Sequence, residues 1–189
     1  MVDNRAQRHE LTKQRIIDAA WQLSRDRGLT GWSLRDLGAK VGMRAPSLYV
    51  YFPGKDALYD EMFAQGNRAL LAAWAEELAS DAPAGQRLRS GAHKFFDFAV
   101  ADPARLQLMF LRVIPSFEPS SASMALAGRV LDAVTAALAE VGPADQHVVD
   151  LWTAVITGLA VQQVSNDPGG RRWADLVDTA IDRLLASAG

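Results

Sequence analysis

Apolar residues in this chain return every three or four positions almost from one end to the other, and stretches that alternate in twos are nearly absent. That period belongs to helices buried along one side. Residues 10–27 put Ile16, Ala20 and Leu23 on one face and stop at Gly28, so a first helix is predicted there, behind a charged tail at residues 1–9. Two short helices follow within residues 33–52. A long helix opens at Lys55 and runs to about residue 80, with Leu58, Met62, Phe63, Leu70 and Trp74 as its apolar positions. Five more are marked off by Asp, Pro and Gly breaks: about residues 86–101, a nearly all-apolar piece from Asp102-Pro103 through Leu111, then 123–141, 144–165 and 172–186. The predicted fold class is all-α, with about nine helices.

The stretch from Ser33 to Lys55 carries the one pattern that points to chemistry. Ser33 can cap a helix, and Asp36 three residues on suits the same N-terminus. Leu34, Leu37 and Val41 give the inward face, and Gly42 ends the helix where a positive φ is useful. A second helix begins near residues 44–46, where a proline is tolerated because a first-turn N–H has no intrahelical partner. Leu48 and Phe52 then face inward, and Ser47, Tyr49 and Tyr51 outward between Arg44 and Lys55. This is the layout of a helix-turn-helix, whose second helix enters a DNA major groove. Tyrosine hydroxyls suit phosphate oxygens, and the rings suit thymine methyls. An ordinary helical hairpin with a partly apolar surface is the alternative.

Residues 12–43, TKQRIIDAAWQLSRDRGLTGWSLRDLGAKVGM, and 48–63, LYVYFPGKDALYDEMF, resemble the DNA-binding domain of the TetR family of bacterial transcription regulators. Gly28, Ser33, Gly42, Leu48-Tyr49, Tyr51-Phe52, Lys55 and Leu58 carry the likeness. The resemblance implies an N-terminal three-helix DNA-binding domain at residues 1–54 and a helical ligand-binding and dimerisation domain at 55–189. It implies DNA contacts from Arg44, Ala45, Pro46, Ser47 and Tyr49 to bases and nearby backbone, with Tyr51 and Lys55 on phosphates. Ser33 and Arg35 are further backbone candidates, and Lys13 and the basic tail add to them. Two departures stand out. Arg44 occupies the place of a usual capping Ser or Thr, and Gly38 that of a usual Ala, at a cost of about 1 kcal/mol in helix propensity.

Net charge is only −2, which taken whole argues against a nucleic-acid binder. Its distribution reverses that. Residues 1–55 hold ten Lys or Arg against five Asp or Glu, and residues 56–189 hold ten against seventeen. The basic excess therefore lies with the helix-turn-helix, as phosphate attraction requires. Hydrophobic residues at 49% are ample for a sizeable core. No run of eighteen apolar residues occurs and the N-terminus lacks an apolar leader core, so no membrane partner is expected. Absence of cysteine removes thiol and disulfide chemistry and fits a cytoplasmic setting.

Residues 144–165 are apolar nearly all round, from Val148 to Val164, so that helix needs burial on more than one side. Gly158 and Ala160 permit close helix approach. TetR-like regulators dimerise through their last two helices, and residues 144–165 and 172–186 sit in that position. A core helix of a large monomer is the alternative. The resemblance also implies a small effector among the middle helices. Candidate lining residues are Phe63, Trp74, Phe95, Phe98, Met109, Phe110, Met124 and Trp152, and the sparse polar groups there favour an apolar or aromatic molecule.

Enzyme signatures do not emerge. His9, His93 and His147 lack metal-ligand spacing, no Gly-rich phosphate loop follows a strand, and no nucleophile–base pair can be read off. No cofactor or metal is implied. The reading is a TetR-like, ligand-responsive homodimeric repressor of a palindromic double-stranded operator. Its rival is a helical small-molecule-binding protein or enzyme without DNA binding.

Overall fold

The structure, a computed structural model, describes residues 4–78 and 80–188. These form α1 (Asn4–Arg27), α2 (Leu34–Val41), α3 (Ala45–Leu48), α4 (Lys55–Leu78), α5 (Ala84–Val100), α6 (Pro103–Phe110), α7 (Ser121–Ala139), α8 (Gln146–Asn166), a 3₁₀ turn (Ala174–Leu176) and α9 (Val177–Ala188). No strand occurs among the described residues.

Local chemistry explains the ends. Ser33 and Asp36 form a reciprocal capping box on α2, and Gly42 closes that helix at φ 71° with its N–H shared between the Ala39 and Gly38 carbonyls. α3 is a single turn; Arg44 holds its N-cap position and makes no side-chain cap. Two boundaries differ from the sequence expectation. The charged tail is helical from Asn4, because Arg5, Ala6, Gln7 and Arg8 contain no breaker and His9 gains a tertiary contact, its ring stacked on Tyr51 with centroids 4.7 Å apart. The last helix is split. Gln163 is buried at 1% exposure, and its Oε1 accepts from Trp173 N at 3.0 Å and Ala174 N at 3.2 Å, anchoring a 3₁₀ turn ahead of α9.

Two apolar cores share α4. The first gathers Ile16, Leu23, Leu37, Leu48, Phe52, Leu58 and Tyr59, and draws in Leu108, Ile114 and Phe117 from much later in the chain. The second gathers Leu70, Trp74, Leu88, Phe96, Leu106, Val149, Trp152, Ile156, Val177 and Ile181. Leu58, Tyr59, Met62 and Phe63 of α4 belong to one and Leu70 and Trp74 to the other, and α6 is divided likewise between Leu108 and Leu106. Gly66 lets α6 approach α4 closely, since a Cβ there would run into the Met109 sulfur.

α7 and α8 are each long and apolar enough, by length and composition, to cross a membrane, with hydropathies of 1.4 and 1.3. Both instead contribute buried residues to the second core, Val134 and Leu138 from α7 and Val149, Trp152 and Ile156 from α8. Outside, α8 leaves Leu151, Ala154 and Gly158 together with polar residues that include His147, Asp150, Thr153 and Gln162.

Gly38 is not a propensity defect awaiting repair. It is buried, and a Cβ built on it would lie 2.7 Å from the Met43 carbonyl oxygen, whose chain folds back so that Met43 N donates to Gly38 O at 2.8 Å. Gly38→Ala is expected to lower stability by about 1 kcal/mol or more, against the roughly 1 kcal/mol gain that helix propensity alone offers. Urea denaturation followed by circular dichroism decides the sign.

Candidate functional site

The turn from α2 into α3 puts Arg44, Pro46, Ser47, Tyr49 and Val50 on one exposed surface, with Ala45 half-buried among them. Leu48 and Phe52 are buried at 1% and 3% exposure, so the single turn of α3 is held by its inner face while the outer face is left to a partner. Arg35 and Lys40 of α2 are also exposed, and no ion pair neutralises either of them or Arg44 among the described residues. Val50, at 73% exposure, is a member of this face that sequence reasoning missed. Its signal was an apolar residue between two tyrosines, just outside the inward 48–52 pair.

Three expected contacts are placed differently. Ser33 spends its hydroxyl on the cap, accepting from Asp36 N at 3.2 Å and donating to Asp36 Oδ2 at 2.5 Å. Tyr51 is half-buried under the His9 ring rather than standing clear of the surface, because helical α1 extends far enough to reach it. Lys55 is drawn inward: Nζ donates to Trp32 O at 2.6 Å and lies 4.0 Å from the Trp32 ring centroid. Burial lowers its ammonium from the ordinary lysine value, with Asp36 and Asp56 opposing. One of its three N–H donors is thereby committed to the protein. Lys13 is likewise engaged, at 2.8 Å from Glu61. Burial raises the Glu61 carboxyl, but hydrogen bonds from Lys13 and Arg68 outweigh it and hold the group below the usual carboxylate range.

A cavity of about 540 Å³ opens between α4, α5, α6, α7, α8 and the loop after α6. Phe63, Trp74, Phe95, Met109, Phe110, Met124 and Trp152 line it, as the sequence suggested. Phe98 does not. It lies off the cavity wall, its ring 3.6 Å from the Arg105 guanidinium, which also donates to the Phe98 carbonyl at 2.6 Å. Sequence reasoning missed Asn67, Ile114, Phe117 and Thr157 of the wall. Ile114 and Phe117 sit in a Pro- and Ser-containing loop, where no helical period marks an inward face. The charged lining residues are Arg112 and Glu118, paired at 3.0 Å and largely exposed.

Surface and cavity share a wall. Phe63, Leu108, Ile114 and Phe117 line the cavity and also belong to the first core. Phe117 packs on Tyr59 with ring centroids 5.6 Å apart, and Tyr59 in turn meets Trp32 at 5.9 Å. The Tyr59 hydroxyl donates to the Leu29 carbonyl, between α1 and α2. Two polar ties flank this contact. Arg25 of α1 donates to Asp102 Oδ2 from Nε at 2.9 Å and from Nη2 at 2.6 Å. Asp60 of α4 accepts from the Ser120 backbone N at 2.7 Å and its hydroxyl at 2.8 Å, at the start of α7.

An exposed second helix flanked by the cations Arg35, Lys40 and Arg44, joined to a helical domain with an apolar cavity, is the layout of a helix-turn-helix regulator. Comparison with known proteins gives the family. Residues 16–62 match the model for bacterial regulatory proteins of the tetR family, and residues 88–188 match the tetracyclin repressor-like C-terminal domain. The chain belongs to the TetR family. The HTH-type transcriptional regulator YobS of Bacillus subtilis is 31% identical over 103 residues, which are 54% of this chain and 53% of that protein; the match thus spans about half of either. Among solved structures, the TetR family regulator PfmR of Thermus thermophilus superposes with a TM-score of 0.70 at 23% identity, covering 91% of this chain and 97% of that one. FadR of Bacillus subtilis, solved with stearoyl-CoA, gives 0.78 at 17% identity, covering 93% and 99%. Both share the fold.

The Arg25–Asp102 pair is the tie most open to test, because Asp102 is buried and Arg25 is half-exposed. Arg25→Ala leaves a buried carboxylate with only the Arg105 N–H cap, and is expected to cost about 1–2 kcal/mol after allowing for the solvent that reaches Arg25. Asp102→Asn keeps the cap and removes the charge, so it should cost less. Chemical denaturation of the two variants gives the order.

Proposed function

We propose that this chain is a ligand-responsive, homodimeric repressor that binds a palindromic double-stranded operator. Residues 1–54 read DNA, and residues 55–189 bind the effector and dimerise. The observation that carries the proposal is the shared wall: four residues serve at once as cavity lining and as core of the DNA-reading half. A molecule that fills the cavity presses on Ile114 and Phe117, and through Tyr59 on the segment that carries α2 and α3. Bases and nearby backbone are met by Arg44, Ala45, Pro46, Ser47 and Tyr49. Arg35 and the remaining donors of Lys55 take phosphates, with Ser33 and Tyr51 contributing at the edge. The net positive charge of residues 1–55 supports this orientation on a polyanion.

The apolar outer face of α8, with Leu151 at 41% exposure and open space around Gly158, supports a symmetric helix-on-helix contact completed by α9. Such a dimer presents its two α3 turns to half-sites about 34–36 Å apart, or a multiple of that. An apolar or aromatic effector fits the cavity wall, and the stearoyl-CoA bound by the structural neighbour FadR is itself largely apolar. Catalysis, a cofactor and a membrane partner are not part of this reading, and the cytoplasm is its setting.

Selection from random duplexes, followed by gel shift across salt, tests the proposal; no binding even at low salt would leave a ligand-binding protein without a DNA role. On a selected operator, Lys55→Ala is expected to weaken all sequences about equally and to reduce the salt slope by about one. Ser47→Ala and Tyr49→Phe should instead change base preference. Leu151→Glu combined with Gly158→Glu is expected to yield monomers by sedimentation, with operator affinity lost alongside.

A further inference from the structure

Asn67 stands in the middle of the cavity face of α4, between Phe63 and Leu70, which also line the cavity. It is 3% exposed, one of few polar residues so deeply buried. Its amide nitrogen donates to the Phe63 carbonyl one turn back, at 3.0 Å. A carbonyl only accepts, so the NH₂ end must face the helix, and the orientation of the amide follows from chemistry. Oδ1 is then turned away from that bond, and it accepts no hydrogen bond among the described residues. Oδ1 is not among the polar atoms sealed off without a partner, so this acceptor is open on the cavity side, and a ligand that displaces solvent from it without supplying a donor leaves it unsatisfied.

Among the described residues the wall holds one buried donor without a partner, the Trp74 indole N–H two turns further along α4, and it makes no hydrogen bond to Asn67; the other polar groups narrow what can supply a donor there. Thr153 uses its hydroxyl hydrogen on the Val149 carbonyl at 2.9 Å, so towards the cavity it offers lone pairs as well. Arg112 and Glu118 neutralise each other at 3.0 Å with side chains 69% and 79% exposed, so the only charges in the lining lie at its outer rim. An anionic group placed beside Asn67 would meet an acceptor and no cation. A cationic group would lose its hydration for a single neutral acceptor.

We infer that the cavity selects an apolar, uncharged molecule carrying a hydroxyl or N–H donor that Asn67 Oδ1 accepts. This rests on the reading of the cavity as the effector site and adds the chemical feature that an effector must carry. Such a site discriminates by its own unpaired oxygen. A ligand of the same shape without the donor leaves the oxygen buried and bare, whereas a hydrocarbon wall alone barely distinguishes the two.

Four probes of one skeleton test it on the full chain by isothermal titration calorimetry: naphthalene, 2-naphthol, 2-methoxynaphthalene and 2-naphthoate. The native protein is expected to bind 2-naphthol about tenfold more tightly than naphthalene or 2-methoxynaphthalene, with 2-naphthoate weakest. In Asn67→Leu the preference for 2-naphthol should shrink to about twofold or less while naphthalene binding is kept. Should that variant fail to fold, Asn67→Ala replaces it, and the native comparison is decisive without either. Equal binding of all four, preference for the methoxy or carboxylate compound, or an unchanged preference in the variant overturns the donor assignment and leaves the effector cavity standing. Binding of none of the four by the native protein overturns the effector cavity itself, and the inference with it.

Discussion

Phe117 cannot shift without disturbing Tyr59, and Tyr59 cannot shift without releasing the Leu29 carbonyl. This contact between two rings joins a wall of the cavity to the hinge between α1 and α2. Both rings are buried, and burial pushes the Tyr59 phenol well above its ordinary value, so it stays a neutral donor at any physiological pH. The surrounding core is apolar and close-packed, and such a core repacks in steps rather than yielding smoothly. The Arg25–Asp102 and Asp60–Ser120 ties flank it, so that α6, its following loop and the start of α7 are fastened to α1 at one point and to the first turns of α4 at two. The cavity is therefore not an appendage to the helix-turn-helix. It is bounded by the same side chains that hold the helix-turn-helix together.

The same arrangement explains what Lys55 does. A lysine opening a helix beside a DNA surface reads as a phosphate ligand. Its ammonium also lies against Trp32 and donates to the Trp32 carbonyl, immediately before the Ser33 cap. One cation thus ties the start of α4 to the start of α2. Lys55 Nζ also lies 5.3 Å from the Tyr59 ring centroid and Tyr59 packs on Phe117, so the base of the helix-turn-helix and the cavity wall are two contacts apart.

Much of the helix-turn-helix was legible because its signals are local. A capping box, a glycine at positive φ and an i,i+4 apolar pair are each set by a few neighbouring residues, and Ser33, Gly42, Leu48 and Phe52 all take the expected roles. Much of the cavity's lining was legible for a similar reason, since seven of the eight aromatic and methionine candidates line it from helices, although Met124 among them is half-exposed. What failed depended on distance in the chain. Phe98 looked like its neighbours on α5 but is covered by Arg105 from the next helix. His9 looked like part of a tail until α1 brought it onto Tyr51. Gln163 gave no hint that it would hold the start of the 3₁₀ turn. Ile114 and Phe117 carried no period at all, because a loop has none.

α8 shows why periodicity stops short of function. A helix apolar on nearly every face has more apolar surface than one core can take, and its sequence is equally suited to a lipid bilayer, a large monomer or a dimer. The structure divides that surface into parts with different fates. Val149, Ile156 and Ala160 are buried in the core, Trp152 and Ile156 reach the cavity, and Leu151, Ala154 and Gly158 remain outside. A bilayer disfavours the His147, Asp150 and Gln162 that α8 also exposes, while Ala154 and Gly158 beside them are small enough to let another helix come near. Those small residues and the cavity wall lie on one rigid rod. In the proposed dimer, a ligand touching Trp152 and Ile156 meets the helix that a second copy holds from the other side, and that contact sets the distance between the two helix-turn-helix surfaces.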